Sequence, residues 1–148
     1  MRNATLLLHL LAATIWVGGH LILALAILPR ALRRQSVAEL LQYESAYERI
    51  GLPALLIQVI SGVMLAHTVV PDIGRWVDLS DPIGRLVGLK LGLLALTAVF
   101  ALDARLRLIP RLSSSRLTAL AWHIIPVTVV SVLFVVVGVS FRTGWLMG

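Results

Sequence analysis

The sequence predicts an all-α integral membrane protein: a four-helix bundle with both termini on the outer, periplasmic side. Three observations predict it. Hydrophobic residues fill 59% of the 148 positions and charged residues 14%. An ordinary soluble domain carries about 45–50% and about 25%, so a water-soluble domain is excluded, and so is a disordered chain. Four apolar stretches reach the roughly 20 residues a helix needs to cross a hydrocarbon core. Arginines gather at alternate connections between them, the pattern that sets membrane orientation.

The first span, about 4–28, is interrupted only by Thr5, His9, Thr14 and His20. It is too long for a signal-peptide core and contains two histidines, so it reads as a retained helix. The second, about 50–70, holds Gln58, Ser61, His67 and Thr68; the third, about 83–102, holds Arg85 and Lys90. The fourth, about 117–141, carries Thr118, His123, Thr128, Ser131 and Ser140. Each must satisfy its own backbone in lipid, so each is helical.

Between the first two spans, Ser36 and Glu39 have the spacing of a capping box. A surface helix over about 37–48 then places Leu40, Leu41, Tyr43 and Tyr47 along the membrane, and Gly51 and Pro53 bend the chain into the second span. The whole chain, 1–148, forms one domain without internal repeats.

The net charge of +6 does not mark a nucleic-acid binder. Twelve of the thirteen basic residues are arginines, placed as orientation signals. Arg30, Arg33, Arg34 and Arg49 flank one connection and Arg105, Arg107, Arg111 and Arg116 another, whereas the connection between them has Arg75 against Asp72, Asp78 and Asp81. Positive-inside then puts the two basic connections in the cytoplasm.

With no cysteine in the chain, disulfides, iron–sulfur clusters, thiolate zinc sites and cysteine nucleophiles are excluded. No nucleophile–base or paired-carboxylate arrangement points to hydrolysis. What the interior offers is imidazole. Ionisable residues inside spans are costly and mark functional sites, and all four histidines lie inside them. Sorted by depth, His9 pairs with His67 near the outer face, and His20 pairs with His123 near the inner face. His9 and His20 are eleven residues apart, nearly three helical turns, so they share one stripe with Trp16 between them.

Paired imidazoles in a helical bundle suit bis-histidine ligation of haem b, one group or two. Lys90 and Arg85 then offer a cation to a haem propionate or an acidic substrate. Copper is the alternative metal, since it accepts imidazole, although the spans contain only Met64 as a thioether. Asp103 reads as an inner-boundary residue, and Trp76 and Trp145 as interfacial belt residues.

The segment from His9 through Trp16 to Gly18-Gly19 resembles the first helix of the copper-resistance D (CopD-like) membrane family. Gly84-Arg85 with Lys90, followed by Asp103, Arg105 and Pro110, resembles that family's third helix, and Ser61-Gly62-Val63 its second. The His-to-Trp-to-Gly spacing and the intramembrane lysine are also similar to the HemJ-type haem-binding protoporphyrinogen oxidases. These resemblances imply a metal- or haem-linked role in a bacterial inner membrane. His20, after the glycine pair, belongs to neither pattern.

The leading expectation is therefore a haem b protein passing electrons between a quinone or small oxidant and a partner. The alternatives are copper transport and HemJ-like porphyrin oxidation. A homodimer through the third helix is also expected.

Overall fold

The computed structural model describes residues 2–109 and 117–146. Among them the chain is wholly helical, with four helices long and apolar enough to cross a membrane. Arg111, Arg116 and Pro110 lie outside the described residues.

Helix α1, Arg2–Ile22, runs through a π turn at Leu23–Ile27 into α2, Leu28–Arg34. Pro29 explains the turn: it has no N–H to give the carbonyl four residues back, and its ring crowds that carbonyl, so the preceding turn widens. At the end of α2, Gln35 adopts a left-handed conformation (φ 51°). There the Ser36 amide donates to Ala31 O at 3.0 Å and the Gln35 amide to Leu32 O at 3.4 Å. This is a Schellman ending, which consumes carbonyls the helix would otherwise orphan.

The chain reverses into α3, Val37–Val69, where the Ser36 hydroxyl accepts from the Glu39 amide at 3.4 Å. The cap is where the sequence places it, but the Glu39 carboxylate pairs with Arg30 rather than closing the box.

No separate surface helix forms. α3 runs unbroken for 33 residues through Gly51 and Pro53. Gly51 serves as a slot for the Tyr47 ring rather than as a break. Its inward stripe, Leu40, Gly51, Ala54, Gln58 and Ser61, is buried.

The next connection folds down onto α4, Pro82–Asp103. A short 3₁₀ turn, Ile73–Val77, lays its backbone against Gly84 and Gly88, where any Cβ would meet Arg75 O or Trp76 O. Trp76 is buried (8% exposed) and its indole donates to Val70 O at 2.8 Å, so it is a core residue and not an interfacial one. Asp81 caps α4 through the Gly84 amide at 3.0 Å and pairs with Arg75 at 3.2 Å. α4 continues through a second π turn, Ala104–Leu108, and α5 spans Leu117–Thr143.

α1 packs mainly on α3, and α4 on α5, with α1 against α5 joining the two pairs. A core of Leu28, Ala31, Leu40, Leu117, Leu120, Ala121 and Ile124 closes the arginine-rich end. Val70, Trp76 and Val87 close the other.

Candidate functional site

The strongest chemistry gathers at the arginine-rich end. His20 is buried (8% exposed), and its Nδ1 donates to Trp16 O at 2.9 Å. That bond leaves Nε2 as the bare nitrogen. The ring is held from two sides: Trp16 packs at 4.4 Å between centroids, and Tyr47 meets it edge-on at 5.6 Å. Tyr47 sits there because Gly19 and Gly51 leave room for its ring, and its hydroxyl donates to Trp16 O at 2.9 Å. Tyr43, one turn away, donates to Gly19 O at 2.7 Å.

His123 approaches from α5. Its Nε2 donates to Asp103 Oδ2 at 2.6 Å, and Asp103 also accepts from Arg107 at 2.9 Å. Phe100 stands edge-on to the imidazole at 5.7 Å. The other ring nitrogen, Nδ1, is buried and has no hydrogen-bond partner among the described residues. A carboxylate behind a histidine fixes its tautomer and orients the remaining nitrogen, the arrangement usual behind metal-binding imidazoles.

Both histidines line one cavity of about 140 Å³, with Trp16, Glu44, Thr97 and Phe100 also in its wall. The inner pair inferred from depth thus faces a common space. Pockets for cofactors and other small organic ligands span about 300–1,000 Å³. This cavity is smaller than that, and apart from His20, His123, Glu44 and Thr97 its wall is mainly apolar. Among the described residues no three histidines, aspartates or glutamates converge as a preformed ligand set.

The outer histidines are not brought together. His9 Nδ1 lies 3.0 Å from Ser61 Oγ, and Gly62 makes room for the ring, since a Cβ there would sit 3.2 Å from His9 Cε1. His67 is six residues beyond Ser61, about 9 Å along α3 and on another face, and it is exposed. Equal depth counted from separate helix midpoints did not account for the stagger between α1 and α3.

Lys90 crosses to α5. Its Nζ lies 3.4 Å from where a Gly138 Cβ would stand and 5.5 Å from the Phe141 ring centre. It is close enough to His9 for the two to interact electrostatically. Arg85 is used elsewhere, donating to Leu146 O at 2.9 Å.

Three contributors to the inner site escape the sequence reading. The sequence places Tyr47, and with it the 37–48 stretch that holds Glu44, on a surface helix, and Asp103 at the boundary. The available signal was the 4-3-4-3 spacing of Tyr47, Gly51, Ala54, Gln58 and Ser61, which extends one inward stripe past Gly51.

A family model described as Copper resistance protein D matches residues 42–141. The chain belongs to the copper resistance protein D family. No curated protein and no solved structure matches it. The matched region takes in α3 from Gln42 onward, α4 and α5, hence Glu44, Tyr47, Lys90, Asp103 and His123. The His9 to Gly19 segment precedes it. In this copper resistance family member, ten of the fifteen residues lining the inner cavity therefore lie within the matched region, and His20 is supplied from outside it.

Proposed function

We propose that this membrane protein handles copper, with the cavity between His20 and His123 as a station for the ion, and that it resides in a bacterial inner membrane. Copper is cargo in this reading. One observation carries it: two imidazoles line a single small cavity, each with one nitrogen held by the protein, and the buried Nδ1 of His123 has no hydrogen-bond partner among the described residues. Imidazole suits copper, and the carboxylate of Glu44 adds an oxygen donor and a negative charge at the wall. Family membership supports the same cargo. The haem expectation finds no support in the size of the cavity or in the placement of His67.

Purified protein in detergent is expected to retain about one copper per chain after gel filtration. His20→Ala and His123→Ala each remove it, whereas His67→Ala does not. Equal copper retention in all three variants would refute the site. A Soret band lost in His20→Ala would restore haem in its place.

A further inference from the structure

A second recess lies on the outside of the bundle at the same end, unconnected with the histidines. It has a volume of about 490 Å³ and is lined by Leu25, Ala26, Arg30, Arg33 and Arg34. Its floor is apolar and uncovered: Leu25 is 75% exposed, in a segment long and apolar enough to cross a membrane. Its rim is three guanidinium groups at positions i, i+3 and i+4, which one helical face presents together.

Two of the three are held in place. Glu39 pairs with Arg30, and Arg33 Nε donates to Pro29 O at 3.3 Å. Neither Arg33 nor Arg34 forms an ion pair among the described residues. Unpaired positive charge therefore stands beside exposed hydrocarbon, at the end of a segment long and apolar enough to cross a membrane.

We propose that this recess binds an anionic phospholipid, its phosphate between the Arg33 and Arg34 guanidiniums and an acyl chain along Leu25 and Ala26. Guanidinium recognises phosphate through paired N–H donors, and basic clusters at a membrane boundary attract anionic headgroups. The apolar floor distinguishes a lipid from free phosphate, which would gain nothing from Leu25. The inference is independent of copper.

Native mass spectrometry of the full chain, titrated with phosphatidylglycerol or phosphatidylcholine, provides the test. Phosphatidylglycerol is expected to bind preferentially, and the double variant Arg33→Gln/Arg34→Gln to weaken it on the order of tenfold. Arg49→Gln, at the same end but outside the recess, leaves the preference intact. Leu25→Asn keeps the guanidiniums and is expected to weaken lipid binding too. Undiminished preference in the double variant, with helicity preserved, overturns the proposal. So does displacement of the lipid by millimolar inorganic phosphate, which would indicate a small-anion site. If the double variant fails to fold, Leu25→Asn decides, and unchanged lipid binding in it overturns the proposal.

Discussion

Asp103 gives His123 a direction. With its carboxylate 2.6 Å from Nε2, the ring proton is held on that side and the lone pair on Nδ1, which is buried without a partner among the described residues. In Asp103→Asn the amide is free to donate to Nε2, and the proton moves to Nδ1. Losing such a partner typically costs 10–100-fold in metal affinity. We expect that loss in a copper titration, with the helical circular dichroism spectrum unchanged. Asp78 is a second carboxylate with local control, in the exposed connection outside the spans. The Ser80 hydroxyl and amide hold it below the ordinary carboxylate range. A lowered folded pKa contributes stability above the unfolded value of about 3.9, which is lost as pH falls through the folded value. Amide exchange in residues 78–81 should therefore accelerate only below about pH 4. In Asp78→Asn that acid-dependent step should be absent.

At the scale of elements, capping chemistry could be read in advance and interruptions could not. Ser36 caps α3 as its spacing with Glu39 implies, because that bond depends on neighbours three residues apart. Gly51 and Pro53 look like a break because in water each weakens a helix. Within a bundle the same residues persist, since leaving the helix would expose backbone with no water to satisfy it. Gly51 is useful there, as it seats Tyr47. The π turn at Leu23–Ile27 has its cause in Pro29, but a proline alone does not specify a widened turn over a kink. The reversal at Gln35 offers a test of element stability. A non-glycine residue pays about 1–2 kcal/mol to sit in the left-handed region, and Gln35 recovers part through Nε2 donating to Leu32 O at 2.8 Å. Gln35→Gly removes the strain but loses that bond and adds unfolded-state entropy. The expected net gain is about 0.5 kcal/mol, seen as a small rise in thermal midpoint in detergent. Gly19→Val should act oppositely and more strongly, because its side chain would occupy the volume of the Tyr47 ring. That displaces Tyr47 from Trp16 and His20, and copper binding falls with stability.

Across the whole molecule the two ends differ in charge. Glu39, Glu44, Glu48 and Asp103 all belong to the end that carries Arg30 and Arg105, where Arg30–Glu39 and Arg105–Glu48 pairs tie the helices together. The opposite half places Lys90 and His9 near one another, and Lys90 forms no ion pair among the described residues. The arginine-rich end is net positive and most of its carboxylates are held in ion pairs, so Glu44, in the cavity wall and without an ion pair among the described residues, is the negative charge left to draw a cation to the His20–His123 cavity. Composition was enough to identify four spans, because apolar length alone decides that. It was not enough to pair the histidines, because stagger between helices depends on which small residues admit which rings, as Gly62 admits His9 and Gly19 admits Tyr47. The direction of access then depends on orientation, for which the arginine bias predicts both termini outside and the arginine-rich end facing the cytoplasm. The absence of cysteine from the chain makes this directly measurable with single-cysteine variants. Gln35→Cys, at the reversal between α2 and α3, and Ser80→Cys, in the connection before α4, mark opposite ends of the bundle. In intact cells a membrane-impermeant thiol reagent should label Ser80→Cys and spare Gln35→Cys. In inverted vesicles the pattern should reverse, and copper presented to those vesicles should then reach the cavity first. Labelling of Gln35→Cys in intact cells would invert the topology and with it the expected side of copper entry.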